Sequence, residues 1–336
     1  MDSLTQIVLG AAVGEAVLGK KVGNRAMLWG GIAGTIPDLD VLLRYFTDDI
    51  TATEMHRGFS HSIVFAILIA PILGWIAHKI HHKWKEASLK NWMWLFFWAT
   101  VTHPLLDAHT TWGTQFFWPF EYRLAYQNIF VIDPLYTLPF LIFLLIAMFH
   151  KRSNPRRRKF NNAGLIISTS YMVITLVLKW ITFNEFKQSL EDQNIAYVEM
   201  DTKPAPLNTI LWTSLVETEN GYRTAYYSLF DTQEIEFSRE FVKNHHLIEP
   251  YKDQKVIKQL IHISEGWYYI EEASDKLIFW DLRFGQFGMD LDTAPFLWSY
   301  DLLVDDNGQV EVIKNDPDLG DAGEVFSALM NRIMGN

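Results

Sequence analysis

Six long apolar stretches run through the first half of the chain, and polar loops separate them. They cover residues 4–19, 26–45, 59–78, 91–106, 129–149 and 163–182. About 20 apolar residues suffice to cross a bilayer as a helix. The pattern therefore predicts a mainly α fold over residues 1–183: a polytopic membrane helical bundle of about six helices. The first stretch is short for a full crossing. Its residues Gln6, Gly10 and Gly14 recur every fourth position and predict a smooth stripe for close helix contact. Gly34 and Pro37 interrupt the second stretch, so a helix should break just before Asp38. From residue 184 the period shortens. Residues 196–200, 209–217, 222–228, 266–271 and 277–281 read as strands, with Asn220-Gly221 as a hairpin turn. Residues 252–263 and 322–333 read as helices. The expectation for residues 184–336 is a soluble, extracytoplasmic α+β domain.

Charge orients this picture. Loops at residues 20–25, 79–90 and 151–159 hold thirteen Lys and Arg, whereas the alternate loops hold Arg44, Arg57 and Arg123. The positive-inside rule puts the thirteen in the cytoplasm. The chain is then expected to be a multi-pass protein of the bacterial inner membrane, with both termini outside the cytoplasm and the lipid bilayer as its partner. Met1-Asp2-Ser3 lacks a basic leader, so the first stretch is expected to remain in the mature protein. There is no cysteine in the 336 residues, which excludes thiolate metal sites and Cys nucleophiles. No long basic face marks a nucleic-acid surface.

Against this apolar background stand three polar clusters: Pro37-Asp38-Leu39-Asp40, His56-Arg57-Gly58-Phe59-Ser60-His61 and His103-Pro104-Leu105-Leu106-Asp107. Acids and imidazoles beside hydrocarbon must pair or bind something. His103 and Asp107, four apart, share one helical face about 6 Å apart and can reach one metal. The alternative is a His–Asp hydrogen bond at a helix end. His56 and His61 converge only if Gly58 breaks the helix between them, with Ser60 as a helix cap. Arg57 can hold a carboxylate or a phosphate, or simply pair with Glu54. Asp38 and Asp40, two apart, can line one cavity in a turning stretch; a turn plus a helix cap is the plain alternative. The clusters predict a metal centre of Asp40, His56, His61, His103 and Asp107, with Asp38 as base and Arg57 stabilising charge on phosphoryl oxygens. His109 is a further, weaker candidate. Imidazole with carboxylate suits Zn²⁺, and also Mn²⁺ or Fe²⁺. The soluble half carries His245, His246 and His262 with no carboxylate at metal spacing. Glu15, inside the first stretch, reads as a buried hydrogen-bonding partner or a proton or metal group.

The clusters, together with the opening Met-Asp-Ser-Leu-Thr-Gln, resemble the bacterial membrane-bound metal-dependent hydrolases of the YdjM/YbcI type, also described as LexA-binding inner-membrane hydrolases. The likeness covers roughly residues 1–150. It implies a helical bundle, hydrolase chemistry and an Asp/His metal site, with a distant similarity to zinc-dependent phospholipase C and P1 nuclease. By that likeness His103 and Asp107 become metal ligands. Relatives often carry His where this chain has Gln6, which implies a ligand fewer at that position. Three readings follow. The first is a membrane metallohydrolase acting on a phosphoester or lipid head group. The second is a non-enzymatic protein with a structural metal and a partner-binding outer domain. The third is an ion- or proton-coupled transporter or regulator.

Overall fold

The computed structural model describes residues 1–84, 86–273, 275–315 and 322–335; Lys85 of the second basic loop lies outside them. The chain divides into two compact units. The first comprises residues 1–43, 55–178 and 206–208, and the second comprises residues 44–54, 179–205 and 209–336.

The first unit is helical. Helix α1 (Ser3–Gly14) starts at Asp2, whose side chain accepts from Thr5 N at 3.1 Å. It passes into a π-turn (Glu15–Gly19) and a short α2 (Lys20–Val22), and Gly23 breaks the run at φ +63°. Helix α3 (Asn24–Thr35) returns along α1. The expected glycine stripe meets a second one here. A Cβ at Gly10 would lie 2.3 Å from Gly30 O, and a Cβ at Gly34 would lie 2.5 Å from Gln6 O. Only residues without side chains allow backbones this close.

Pro37 has no amide hydrogen to continue the α ladder. Residues Pro37–Tyr45 form a 3₁₀ stretch bent 43° from α3. Helix α4 (Asp49–Met55) belongs mainly to the second unit. A 3₁₀ turn at Phe59–His61 leads to α5 (Ile63–Ile80). The cap of α5 is Ser62, accepting from Phe65 N at 3.0 Å, and not Ser60. Helix α6 (Leu89–Asp107) runs through Pro104 as one element. Helix α7 (Pro134–Met148) is capped by Asp133, and α8 (Pro155–Asp192) contributes to both units. The expected boundary at residues 183/184 falls inside α8.

The six-helix polytopic bundle is overturned. Among the described residues, two helices can cross a membrane by length and composition, α5 and α8, or three if α3 and the bent 3₁₀ stretch form one span. The physical reason is that apolarity does not separate lipid contact from core contact. Leu95, Phe96, Ala99 and Val101 of α6 are buried among other helices, as are Val8, Ala11 and Ala12 of α1. Helix α7, with 15 residues, is shorter than a span needs. Helices α5 and α8 instead leave Ile67, Leu68, Ile72, Val173, Ile174 and Val177 half exposed, as a lipid-facing helix does.

Among the described residues, the second unit holds two four-stranded antiparallel sheets. One is β1 (Glu199–Pro204), β2 (Leu211–Glu217), β3 (Gly221–Ser228) and β4 (Phe241–Val242). The other is β5 (Tyr268–Glu272), β6 (Leu277–Gln286), β7 (Phe296–Val304) and β8 (Val310–Asn315). Both follow sequence order. The Asn220-Gly221 signal marks the β2–β3 hairpin, where Glu217 faces Tyr222. Helices α9 (Lys255–Ile263) and α10 (Ala322–Ile333) complete the unit. Of its histidines, His245 stacks on Tyr268 at 4.1 Å and reaches Tyr268 O at 2.9 Å.

Candidate metal centre

All three polar clusters meet at one end of the helical unit. Asp38, His61, His103 and Asp107 each offer one ligand atom, and these atoms lie within 4.8 Å of one another. His61 Nε2 and His103 Nε2 are 3.1 Å apart. Asp38 Oδ1 is 3.3 Å from both, and Asp107 Oδ2 is 3.5 Å from both. Tetrahedral zinc, bound at about 2.0–2.2 Å, requires ligand–ligand edges of about 3.3–3.6 Å. The four His–Asp edges match that figure, and the His61–His103 edge is slightly shorter.

Local chemistry aims these atoms. His103 Nδ1 lies 2.6 Å from Gly34 O, a carbonyl that can only accept. His103 therefore donates from Nδ1 and turns the Nε2 lone pair inward. The glycine contact between α1 and α3 is what brings α3 to this position. His61 Nδ1 faces Asp40 Oδ2 at 3.2 Å and Ser60 Oγ at 2.9 Å, which again frees Nε2. Two imidazole nitrogens cannot face each other bare at 3.1 Å; a shared proton or a cation must lie between them. Burial works against charge on His61, but Asp107, Asp38 and Asp40 overcome it and push its pKa up to about 9. A divalent cation would supply the same positive charge.

Asp107 anchors the far side. Its Oδ1 accepts from Gln6 Nε2 at 2.7 Å and from the Met1 amine. Its Oδ2 is buried, accepts no hydrogen bond, and has Arg57 Nε at 3.2 Å. A buried carboxylate oxygen without a donor is uncommon and marks a ligand position. The donor set, the orphaned oxygen and the edge lengths together fit one divalent cation.

The structure separates the seven residues singled out in the sequence. Asp38, His61, His103 and Asp107 face the common point. Asp40 and His56 stand behind His61: Asp40 accepts from His56 Nδ1 at 2.8 Å, Arg57 N at 3.0 Å and Ser60 Oγ at 2.7 Å. Residues two apart on a 3₁₀ helix diverge by about 240°. Asp38 and Asp40 thus cannot face the same way. Arg57 is buried at φ +60°, spanning Asp107 and Thr110 Oγ1, the latter at 2.7 Å. Glu54 instead accepts from Gln259. His109 pairs with Asn128 at 2.8 Å outside the cluster. Sequence reasoning missed Gly34 as the orienter of His103 and Gln6 as a donor to Asp107. The every-fourth-residue stripe containing Gln6 was the available signal.

Fold and site define a class: a membrane-associated helical protein whose helix ends gather a two-His, two-Asp cluster fit for a cation. The description "YdjM inner membrane protein" matches residues 1–183, and the chain belongs to that family. It is 30% identical over 146 residues to the inner membrane protein YbcI of Escherichia coli (strain K12). That match covers 41% of this chain and 82% of the relative. These likenesses place the protein in the inner membrane. No solved structure matches the chain.

Proposed function

We propose that this chain is an inner-membrane metal-dependent hydrolase that acts on a phosphoester or lipid head group through the Asp38–His61–His103–Asp107 centre. The convergence of four ligand atoms within 4.8 Å of one another carries the metal half of this reading. The hydrolytic half is supported by exposure. Three of the ligand side chains are fully buried, whereas Asp38 is 27% exposed and gives the centre a face toward substrate. Zn²⁺ is the first choice; Mn²⁺ or Fe²⁺ would keep more positions for water. The bound metal supplies a water of lowered pKa and a charge for a developing oxyanion.

The chain's own residues then divide the work. His103 and His61 hold their lone pairs inward through Gly34 O and Asp40. Arg57 neutralises Asp107, so its guanidinium orients a ligand and does not grip a phosphate. Beside the exposed side, His56 is held through Nδ1 by Asp40, and its ring is part exposed. His56 is thus placed to take or return a proton. Basic residues Lys20, Lys21, Arg25, Arg152 and Arg157 gather at the opposite end of the helical unit. That end faces the cytoplasm in this reading, and the centre faces away from it.

Purified full-length protein, loaded with Zn²⁺ or Mn²⁺, is expected to release head group or phosphate from a panel of phospholipids and isoprenoid phosphates. Chelator should abolish release, and Asp38→Asn should lower it by about 100-fold or more. Metal-loaded protein that turns over none of the panel would overturn the hydrolase reading. A structural metal is the second reading, because four protein ligands can close a tetrahedral site. It predicts that chelation unfolds the helical unit.

A further inference from the structure

The other end of the helical unit holds a feature that metal chemistry does not use. A cavity of about 440 Å³ lies between the π-turn after α1 and the start of α8. Lys20, Lys21, Arg152, Arg157 and Arg158 line it, and among its described lining residues Glu15 is the one acid. Glu15 is spent on Arg157, with Arg157 Nε 2.6 Å from Glu15 Oε1 and both side chains buried. Lys21 reaches Asn91 and Arg152 reaches Glu86. Lys20 and Arg158 are exposed, and neither has an acid partner among the described residues. Asn161 lines the same cavity. Its Nδ2 donates to Ala12 O at 3.0 Å, whereas its Oδ1 is buried and has no partner. The cavity thus presents surplus positive charge and one unused buried acceptor. Ala16 and Val17 add an apolar edge, and Val17 is about one-third exposed.

The geometry points to a binding site for the head group of an anionic phospholipid, phosphatidylglycerol in type, drawn from the leaflet next to the basic loops. The phosphate would sit between Lys20 and Arg158. A head-group hydroxyl would donate to Asn161 Oδ1, and an acyl chain would leave along Ala16 and Val17. A basic recess on the cytoplasmic side of a membrane protein is where such anionic head groups are held. An inorganic phosphate shares the anionic chemistry but lacks the hydroxyl and the chain. This inference stands independently of the hydrolase reading, since the cavity and the metal centre lie at opposite ends of α1.

The test uses full-length protein in nanodiscs of phosphatidylcholine, with a fluorescent phosphatidylglycerol as probe. Saturable binding is expected, weakening as salt rises. The double variant Lys20→Gln/Arg158→Gln should bind at least about tenfold more weakly, since each base near an anionic surface is worth about fivefold. Asn161→Ala should remove the preference for phosphatidylglycerol over phosphatidic acid, which lacks the terminal hydroxyl. Equal retention of phosphatidylcholine, or unchanged affinity in the double variant, would overturn the site. Full displacement of the probe by millimolar inorganic phosphate would show a soluble-anion site and overturn the lipid assignment.

Discussion

Asp107→Asn protein should emerge from purification with almost no bound metal. Asparagine keeps the shape of the side chain and an acceptor for Gln6 Nε2, but it removes the charge that faces His61 and His103. Outer-shell changes around metal sites weaken binding by about 10–100-fold, so loss of a carboxylate ligand should exceed about 100-fold. Asp107→Ala should do this and also destabilise the helical unit. Arg57 and the Met1 amine are both buried against this carboxylate. Removing one partner of a buried ion pair costs about 3–5 kcal/mol, because the other charge stays behind. Elemental analysis and thermal unfolding in detergent separate the two effects. Unchanged metal stoichiometry in Asp107→Asn would remove Asp107 from the ligand set.

The second large effect belongs to a methyl group. At Gly30 a Cβ would lie 2.2 Å from Gly10 O, a backbone atom that cannot rotate away. At Gly31, one residue on, the nearest atom is Ile7 Cγ2 at 3.4 Å, an ordinary contact. Gly30→Ala should therefore force α1 and α3 apart and cost about 3 kcal/mol or more, at the upper end for overpacking. Gly31→Ala should be neutral or stabilising by up to about 1 kcal/mol, through helix propensity. The contrast between adjacent glycines controls for propensity and hydropathy. Gly30→Ala should also weaken metal binding, because α3 presents the Gly34 carbonyl that orients His103. Equal unfolding temperatures for the two variants would mean that the backbones do not touch there.

The three clusters and the stripe in α1 were legible because residue type and spacing carry them. Hydrocarbon-bounded Asp and His stand out wherever they fall, and a four-residue repeat of small residues has a direct geometric meaning. What was hidden is direction. Asp38 and Asp40 look equivalent in the sequence; only the 3₁₀ path after Pro37 sends one inward and the other behind His61. Ser60 reads as the cap from residue type, but the backbone turn at Phe59–His61 gives that place to Ser62. The count of membrane crossings was hidden for another reason. A helix such as α6, apolar on every side, is as well suited to the interior of a protein as to lipid, and hydropathy alone does not choose. Strands β7 and β8 escaped notice because Phe296–Val304 mixes polar Ser299 and Asp301 into its apolar run, and Val310–Asn315 is short and charged.

Asp40 is a keystone. One carboxylate secures a side chain or amide from each of His56, Arg57 and Ser60, and it also fixes the ring of His61. Fastenings that share a single peg come loose together. The loop from His56 to His61 should therefore be either seated or released, with no half-open form between. Entry to the cation centre from that side becomes a concerted latch, not a gradual widening.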